Sequence, residues 1–137
     1  MPSFSERSLR RLETCDDRLQ RIFSQVIEDW DCTIICGHRN ESDQNKAFAS
    51  GASKLRFPNS EHNVFPSRAV DVAPWPIPEE WGAKKRDEYE KFRYFAFFVL
   101  GVASGMGICL RWGGDWDRDK DVLDQDFNDL VHFELDE

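Results

Sequence analysis

The 137 residues carry a formal net charge of −8 and are 40% hydrophobic. That is enough for one domain with its own core, and too acidic for a general nucleic-acid binder, which must neutralise phosphates with clustered Lys and Arg. The four cysteines, Cys15, Cys32, Cys36 and Cys109, follow an opening Met1-Pro2-Ser3-Phe4-Ser5-Glu6-Arg7 in which no basic segment leads into an apolar run. Reduced thiols and synthesis in a cytoplasm without a signal peptide are therefore expected.

Across residues 5–30, Leu9, Leu12, Leu19, Ile22, Phe23, Val26 and Ile27 recur at helical spacing, which predicts one amphipathic helix over the core. Cys32-Thr33-Ile34-Ile35-Cys36 is a β-prone run ended by Gly37, and it delivers His38, Arg39 and Asn40 to a strand end. Ser42 or Asn40 is placed to cap a second helix through Gln44, Ala47 and Phe48, which stops at Gly51, a residue suited to the left-handed position after a helix. Residues 54–59 read as loop. Residues 68–73 alternate as a strand, with Ala69 and Asp71 on one side and Val70 and Val72 on the other.

Pro74, Pro76 and Pro78 end that strand, and Trp75 and Trp81 are set to wall one side of a cleft. A long helix is predicted from near Ala83, with Tyr89, Phe92, Phe95, Ala96, Val99, Leu100 and Ala103 at periodic positions. Its uncharged stretch, residues 94–110, is shorter than the ~20 apolar residues of a membrane span and is interrupted by glycines, so a buried helix without stable membrane insertion is expected. Residues 108–112 and 130–135 complete a small sheet around an acidic loop. The expected architecture is α+β, a small antiparallel sheet flanked by helices in a single domain over residues 1–137, and the expected protein is a monomer.

Only three histidines are present, and two of them fall in motifs that answer each other: Ser60-Glu61-His62 with Ala69-Val70-Asp71, and Asp129-Leu130-Val131-His132-Phe133-Glu134. A catalytic zinc takes three nitrogen or carboxylate ligands and keeps a fourth position for water, whose pKa it lowers to ~7. His62, Asp71 and His132 make such a set, and Asp129 stands by as proton shuttle. Residues 46–68 are net basic, a charge that would orient an anionic substrate.

The chain resembles the VanY-like zinc D-alanyl-D-alanine carboxypeptidases and the related phage L-alanyl-D-glutamate endopeptidases, which cleave peptidoglycan stem peptides. The resemblance covers about residues 35–135. It rests on Gly37-His38-Arg39 followed by Gln44, on Ser60-Glu61-His62 with Ala69-Val70-Asp71, on Trp112-Gly113-Gly114-Asp115-Trp116, and on Asp129 to Leu135 with its His132. It implies zinc on His62, Asp71 and His132, Asp129 as general base and acid, and Arg39 as oxyanion stabiliser. Gln44, Ser60 and Trp75 are the implied substrate contacts, although Ser60 is equally suited to a turn. The implied function is cleavage of the L-alanyl-D-glutamate bond by a phage endolysin that acts at the cell wall or periplasm after the membrane is breached. A D-alanyl-D-alanine carboxypeptidase and a non-catalytic wall-binding module of the same fold are the alternatives.

Two features depart from the family pattern. Residues three apart on a regular strand point to opposite faces, so Asp129 and His132 converge only if Leu130 and Val131 form a turn or bulge, yet Val131 stands where relatives commonly have proline. Glu134, on the face of His132, is the competing base. In addition, eight residues rather than six separate His62 from Asp71, so residues 63–68 must bulge outward, which loop-closure entropy tolerates. Separately, Asp115, Asp117, Asp119, Asp121 and Asp126 fall at positions 1, 3, 5, 7 and 12 of an EF-hand-like loop, a candidate calcium site despite Lys120 at position 6. Cys32, Cys36 and His38 share a strand face, but a straight strand spreads them too far for a second zinc set.

Overall fold

The computed structural model describes residues 2–78, 86–121 and 129–137, with the backbone alone for 86–89. Among the described residues four strands, β1 (Cys32–Cys36), β2 (Ala69–Pro74), β3 (Leu110–Trp112) and β4 (His132–Leu135), form one sheet in the order β1-β2-β4-β3. All three pairings are antiparallel. Helices α1 (Glu6–Leu12), α2 (Asp17–Asp29), α3 (Glu41–Ser50) and α4 (Arg86–Gly105) complete the α+β fold, with one 3-10 turn at Glu61–Asn63. Among the described residues no helix is long and apolar enough to cross a membrane.

The expected single helix over residues 5–30 is two helices. Local hydrogen bonds win over apolar periodicity at the break: the Thr14 hydroxyl donates to the Arg11 carbonyl, and the Asp16 carboxylate caps α2 by accepting from the Arg18 N–H. The break also holds the rest of the fold, because Thr14 Oγ1 accepts from the His38 N–H at 2.8 Å and Cys15 bridges to Ser67. Gly37 packs so closely here that a Cβ would strike the Arg11 carbonyl and the Thr14 hydroxyl. Asn40, not Ser42, caps α3, and Gly51 ends it at φ 81°. The predicted start of the long helix at Ala83 lies outside the described residues, as does Trp81.

The two faces of the sheet differ in chemistry. Val70, Val72, Leu110, Trp112, Phe133 and Leu135 face a core shared with Phe23 of α2 and Phe95 of α4, and the Phe23 and Phe95 rings meet Phe133 edge-on at 5.6 and 6.3 Å. The alternate positions, Asp71, Arg111, His132 and Glu134, line a cavity on the other face. A bulge in β1 extends that cavity face. Ile34 pairs with Val72 but Cys36 pairs with Asp71, so Ile35 is the extra residue and Cys36 lands beside the aspartate.

Candidate metal centre and active site

Strand register sets the first two polar groups. Asp71 and His132 are cross-strand partners on β2 and β4, which puts His132 Nδ1 3.2 Å from Asp71 Oδ1. His62 arrives from the 3-10 turn, whose start is capped by Ser60 and Asn63: the Ser60 hydroxyl accepts from the His62 N–H and the Asn63 side chain accepts from the Ser60 N–H. His62 Nε2 lies 3.2 Å from Asp71 Oδ1 and 3.3 Å from His132 Nδ1. Residues 64–66 loop outward as the longer spacing requires, with Phe65 69% exposed, while buried Ser67 ties the loop's end to Thr14 and Asp16.

These three atoms form a nearly equilateral triangle, and it matches a metal's needs. Tetrahedral zinc with bonds of 2.0–2.1 Å requires ligand atoms about 3.3 Å apart. Both imidazoles also present bare nitrogen to the centre. His62 Nδ1 is 2.8 Å from the Gly37 carbonyl, which can only accept, so the ring proton sits there and Nε2 faces inward with its lone pair. His132 Nε2 is 2.8 Å from Glu134 Oε1, which likewise leaves Nδ1 free. Outer partners of this kind fix tautomer and ring orientation in metal sites.

Without a cation the triangle would set three lone pairs against one another, and the titration of its members reflects this. Burial pulls the imidazoles toward neutrality, but the charge and hydrogen bonding of Asp71 prevail and raise His62 to about 10; hydrogen bonds to Asp71 and Glu134 raise His132 to about 9. Burial favours the protonated Asp71, yet the two histidines outweigh it and hold its carboxyl far below the usual carboxylate range. A positive charge at the centre, proton or metal, is what this donor set accommodates.

Asp129 reaches the triangle by the turn that its spacing demanded. Residues 130–131 form a turn, with the His132 N–H donating to the Asp129 carbonyl at 3.1 Å. Gly113 replaces proline as the restraint: it accepts from the Asp129 N–H and donates to the His132 carbonyl, both at 2.8 Å, and a Cβ on it would collide with Asp129. The Asp129 carboxylate comes within 3.9 Å of His132 Nδ1. Burial, then the charge of Asp71, push it up to about 6 against the pull of His132, His62 and Arg39. Glu134 goes the other way. Burial opposes its ionisation, but hydrogen bonds from His132 and Arg111 lower it to about 2.

Arg39 stands at the opposite side, its guanidinium 3.4 Å from Asp71 Oδ2, the oxygen turned away from the triangle. Gln44 is fully buried; its Oε1 accepts from Arg39 at 3.0 Å and from Asn63. Gln44 therefore fixes Arg39 rather than facing the open cavity. His62, Asp71, His132, Asp129, Arg39 and Ser60 all line one cavity of about 580 Å³.

A sequence model of the phage L-alanyl-D-glutamate peptidases matches residues 2–136. The chain belongs to that family. It is similar to the L-alanyl-D-glutamate peptidase of Escherichia phage T5, 27% identical over 132 residues that span 89% of this chain and 87% of the T5 protein. Its fold is shared by the crystal structure of Serratia marcescens L-Ala D-Glu endopeptidase ChiX, with a TM-score of 0.72 and 22% identity, over 98% of this chain and 91% of that one.

Not every residue singled out from the sequence of this peptidase joins the centre. Trp75 is 55% exposed and lines a separate concavity with Trp30, Pro76 and Tyr94, because β2 carries it past Asp71 to the strand's far end. The cleft wall assigned to Trp75 belongs instead to Trp116, whose ring lies 5.4 Å from that of His132, and to Arg111. Neither had been assigned a site role from the sequence, although Arg111 precedes the Trp112 motif and Trp116 ends it. Cys32 is buried in the core while His38 meets Phe65 edge-on at 5.2 Å, so no second zinc set forms. In the acidic loop Asp115, Asp117 and Asp119 bring carboxylate oxygens within 4.8 Å of one another. Asp121 is outside that group, its N–H donating to Asp119, and Asp126 lies outside the described residues.

Proposed function

We propose that the protein is a zinc-dependent peptidoglycan peptidase that hydrolyses the L-alanyl-D-glutamate amide of stem peptides. The observation that carries this reading is the triangle of His62, Asp71 and His132, with both imidazole tautomers set for an ion and a second carboxylate, Asp129, beside it. Zinc bound there supplies a Lewis acid and lowers the pKa of water to ~7. Asp129 takes the proton of the attacking water and passes it to the leaving amine nitrogen. Glu134 is not the base, since one of its oxygens orients His132 and the other holds Arg111. Arg39, held by Gln44, faces the negative charge that grows on the amide oxygen, and losing one such donor typically costs ~3 kcal/mol.

The similarity to the T5 L-alanyl-D-glutamate peptidase and the Serratia L-Ala D-Glu endopeptidase supports the L-alanyl-D-glutamate bond over a D-alanyl-D-alanine bond, and Asp129 and Arg39 in one cleft support an enzyme over a wall-binding module. The place of action is then the cell wall, reached once the membrane is breached. Purified sacculi incubated with zinc-loaded protein decide this by mass spectrometry of the products. New amino-terminal glutamyl peptides are expected. Released D-alanine would reassign the bond, and no product at all would leave a binding module.

We further propose that Asp115, Asp117 and Asp119 bind calcium. Acidic clusters are common without an ion, but Asp115 is 3% exposed and its Oδ1 has no hydrogen-bond partner. Burial, together with its carboxylate neighbours, raises Asp115 above its ordinary value despite the Lys120 N–H on its other oxygen. A hard cation with oxygen ligands resolves both the orphaned oxygen and the crowding.

A further inference from the structure

Two cationic side chains of the cleft, Lys54 and Arg111, neither belong to the metal triangle nor move a proton. Arg111 is the middle residue of β3, directly across from Glu134. Its Nη2 donates to Glu134 Oε2 at 2.7 Å, and its guanidinium carbon lies 5.7 Å from the centre of the Trp116 ring. Its Nε is buried and has no hydrogen-bond partner, while the side chain as a whole keeps 33% of its surface accessible. A guanidinium offers five N–H groups in a planar fork, and among the described residues the bond to Glu134 takes up one of them.

A residue needed only to steady Glu134 would not require this. One donor suffices for a carboxylate oxygen, and burying a further N–H without a partner costs about 1–3 kcal/mol. With Nε buried, the outer edge of the fork, Nη1 and the second N–H of Nη2, suits an incoming carboxylate bound through two parallel hydrogen bonds. Electrostatics agree, because the same cavity is walled by Glu61, Asp71, Asp129 and Glu134 and would repel an acidic peptide unless a cation met it. Arg39 is already engaged by Asp71 and Gln44, and Lys54, which also lines the cavity, has a partner of its own. Arg111 stands two residues along the sheet and one strand over from His132, roughly 8 Å between Cα atoms by strand geometry, a distance of about two peptide residues from the scissile amide at most.

We propose that Arg111, steadied by Trp116, is a specificity-determining residue that recognises a free carboxylate of the stem peptide near the cut amide. This rests on the proposed peptidase function. Two carboxylates have the required chemistry: the α-carboxylate of a glutamyl residue linked onward through its side chain, and the carboxylate of the residue that follows it.

The test compares three synthetic stem peptides: the free acid, the glutamyl α-amide, and the amide at the following residue. Wild-type enzyme should lose roughly 10- to 100-fold in kcat/KM, mostly through KM, when the recognised carboxylate is amidated, and which amide does this identifies the carboxylate. In Arg111→Gln the ratio of acid to amide should fall to near one, whatever the common loss through Glu134. Arg111→Lys keeps the charge without the fork and should fall between, which preserves the test if the glutamine variant does not fold. Zinc content of each variant is measured alongside. A ratio unchanged in both variants, or a wild type indifferent to both amides, overturns the proposal. If wild type cuts none of the peptides, the peptidase reading fails on its own, and calorimetric binding of the same three peptides to wild type and Arg111→Lys still decides whether Arg111 reads the carboxylate.

Discussion

Two clusters of ligand-type side chains occur among the described residues, and they are held in different ways. His62, Asp71 and His132 sit at 2–8% exposure on elements whose positions are fixed by sheet register and a capped turn, and each imidazole has its outer nitrogen occupied. Asp115, Asp117 and Asp119 sit on a loop, with only Asp115 buried, and their polar atoms are occupied chiefly by neighbouring backbone N–H groups such as those of Lys120 and Asp121. The first cluster is preorganised at the cost of desolvating a carboxylate between two imidazoles. The second leaves a single orphaned oxygen. Preorganisation of the first kind is what chemistry at a metal requires, whereas the second has the features of a stabilising ion site.

The sharpest way to break this contrast is to remove the carboxylate common to both histidines. Asp71→Ala deletes one proposed zinc ligand and the partner of Arg39 together, so zinc content should fall below one equivalent and sacculus digestion by at least about 1,000-fold, consistent with losing metal-assisted attack. A variant that kept both zinc and turnover would transfer the centre elsewhere. By contrast Asp117→Ala, in the loop, should leave zinc content and digestion within a few-fold of wild type.

Asp129 sharpens the comparison from inside the first cluster. Asp129→Asn should lower kcat by about 100- to 10,000-fold, the usual range for a general acid–base, with zinc retained. Its effect on stability has the opposite sign. The carboxyl is raised from 3.8 to about 6 in the folded protein, so the folded state favours the proton; the favourable contribution is complete below 3.8 and is lost as pH rises through 6. At pH 7 the ionised side chain therefore opposes folding, and in zinc-free protein the asparagine variant should be more stable by about 1–3 kcal/mol. That advantage should vanish near pH 4. Denaturant titrations of both proteins at the two pH values read it, and an advantage of Asp129→Asn over wild type no larger at pH 7 than at pH 4 would contradict the assigned burial penalty.

Much of this was legible in the residues. The period-2 alternation of Ala69-Val70-Asp71-Val72 put the aspartate opposite the core face, and the ligand set followed from residue types that only a metal or an acid–base pair explains. The need for a turn between Asp129 and His132 was likewise a consequence of strand geometry. What was not legible depended on contacts distant in sequence. The break between α1 and α2 arises because Asp16, Thr14 and Gly37 satisfy one another across the fold, and helical periodicity does not register that. The bulge at Ile35, which carries Cys36 to the cavity, has no local signature. The prolines marked the end of β2 correctly, but the side on which the chain leaves the strand has no local signature, so Trp75 lies away from the cavity; the neighbours of Arg111 and Trp116 are set by cross-strand register and by the turn after β3, which their own sequence does not show.

A smaller effect is expected one bond out from the metal. Glu134→Gln keeps the volume of the side chain but replaces the charged acceptor of His132 and weakens the pairing with Arg111. Changes to such outer partners typically cost about 10- to 100-fold in metal affinity or activity. Competition with a chelator should show zinc held that much more weakly, while digestion at saturating zinc falls by less than in Asp129→Asn. If Glu134→Gln instead abolished turnover with zinc fully bound, the roles of the two carboxylates would be reversed.

The loop cluster supplies the last and smallest test. An ion that binds the folded chain alone stabilises it by about 2.7 kcal/mol at a hundred times its dissociation constant, which for a chain of this size means a rise in Tm of several degrees. Calcium added to zinc-loaded protein should produce such a rise, and Asp115→Asn, which keeps the shape of the side chain but leaves its orphaned position uncharged, should remove it. Magnesium should shift Tm less, because it holds its water more tightly and tolerates irregular oxygen cages poorly. If calcium leaves Tm unmoved, Asp115 Oδ1 is an unsatisfied acceptor in an ordinary acidic turn. The asparagine variant would then be the more stable protein at neutral pH, since it relieves the repulsion among Asp115, Asp117 and Asp119 that calcium would otherwise have neutralised.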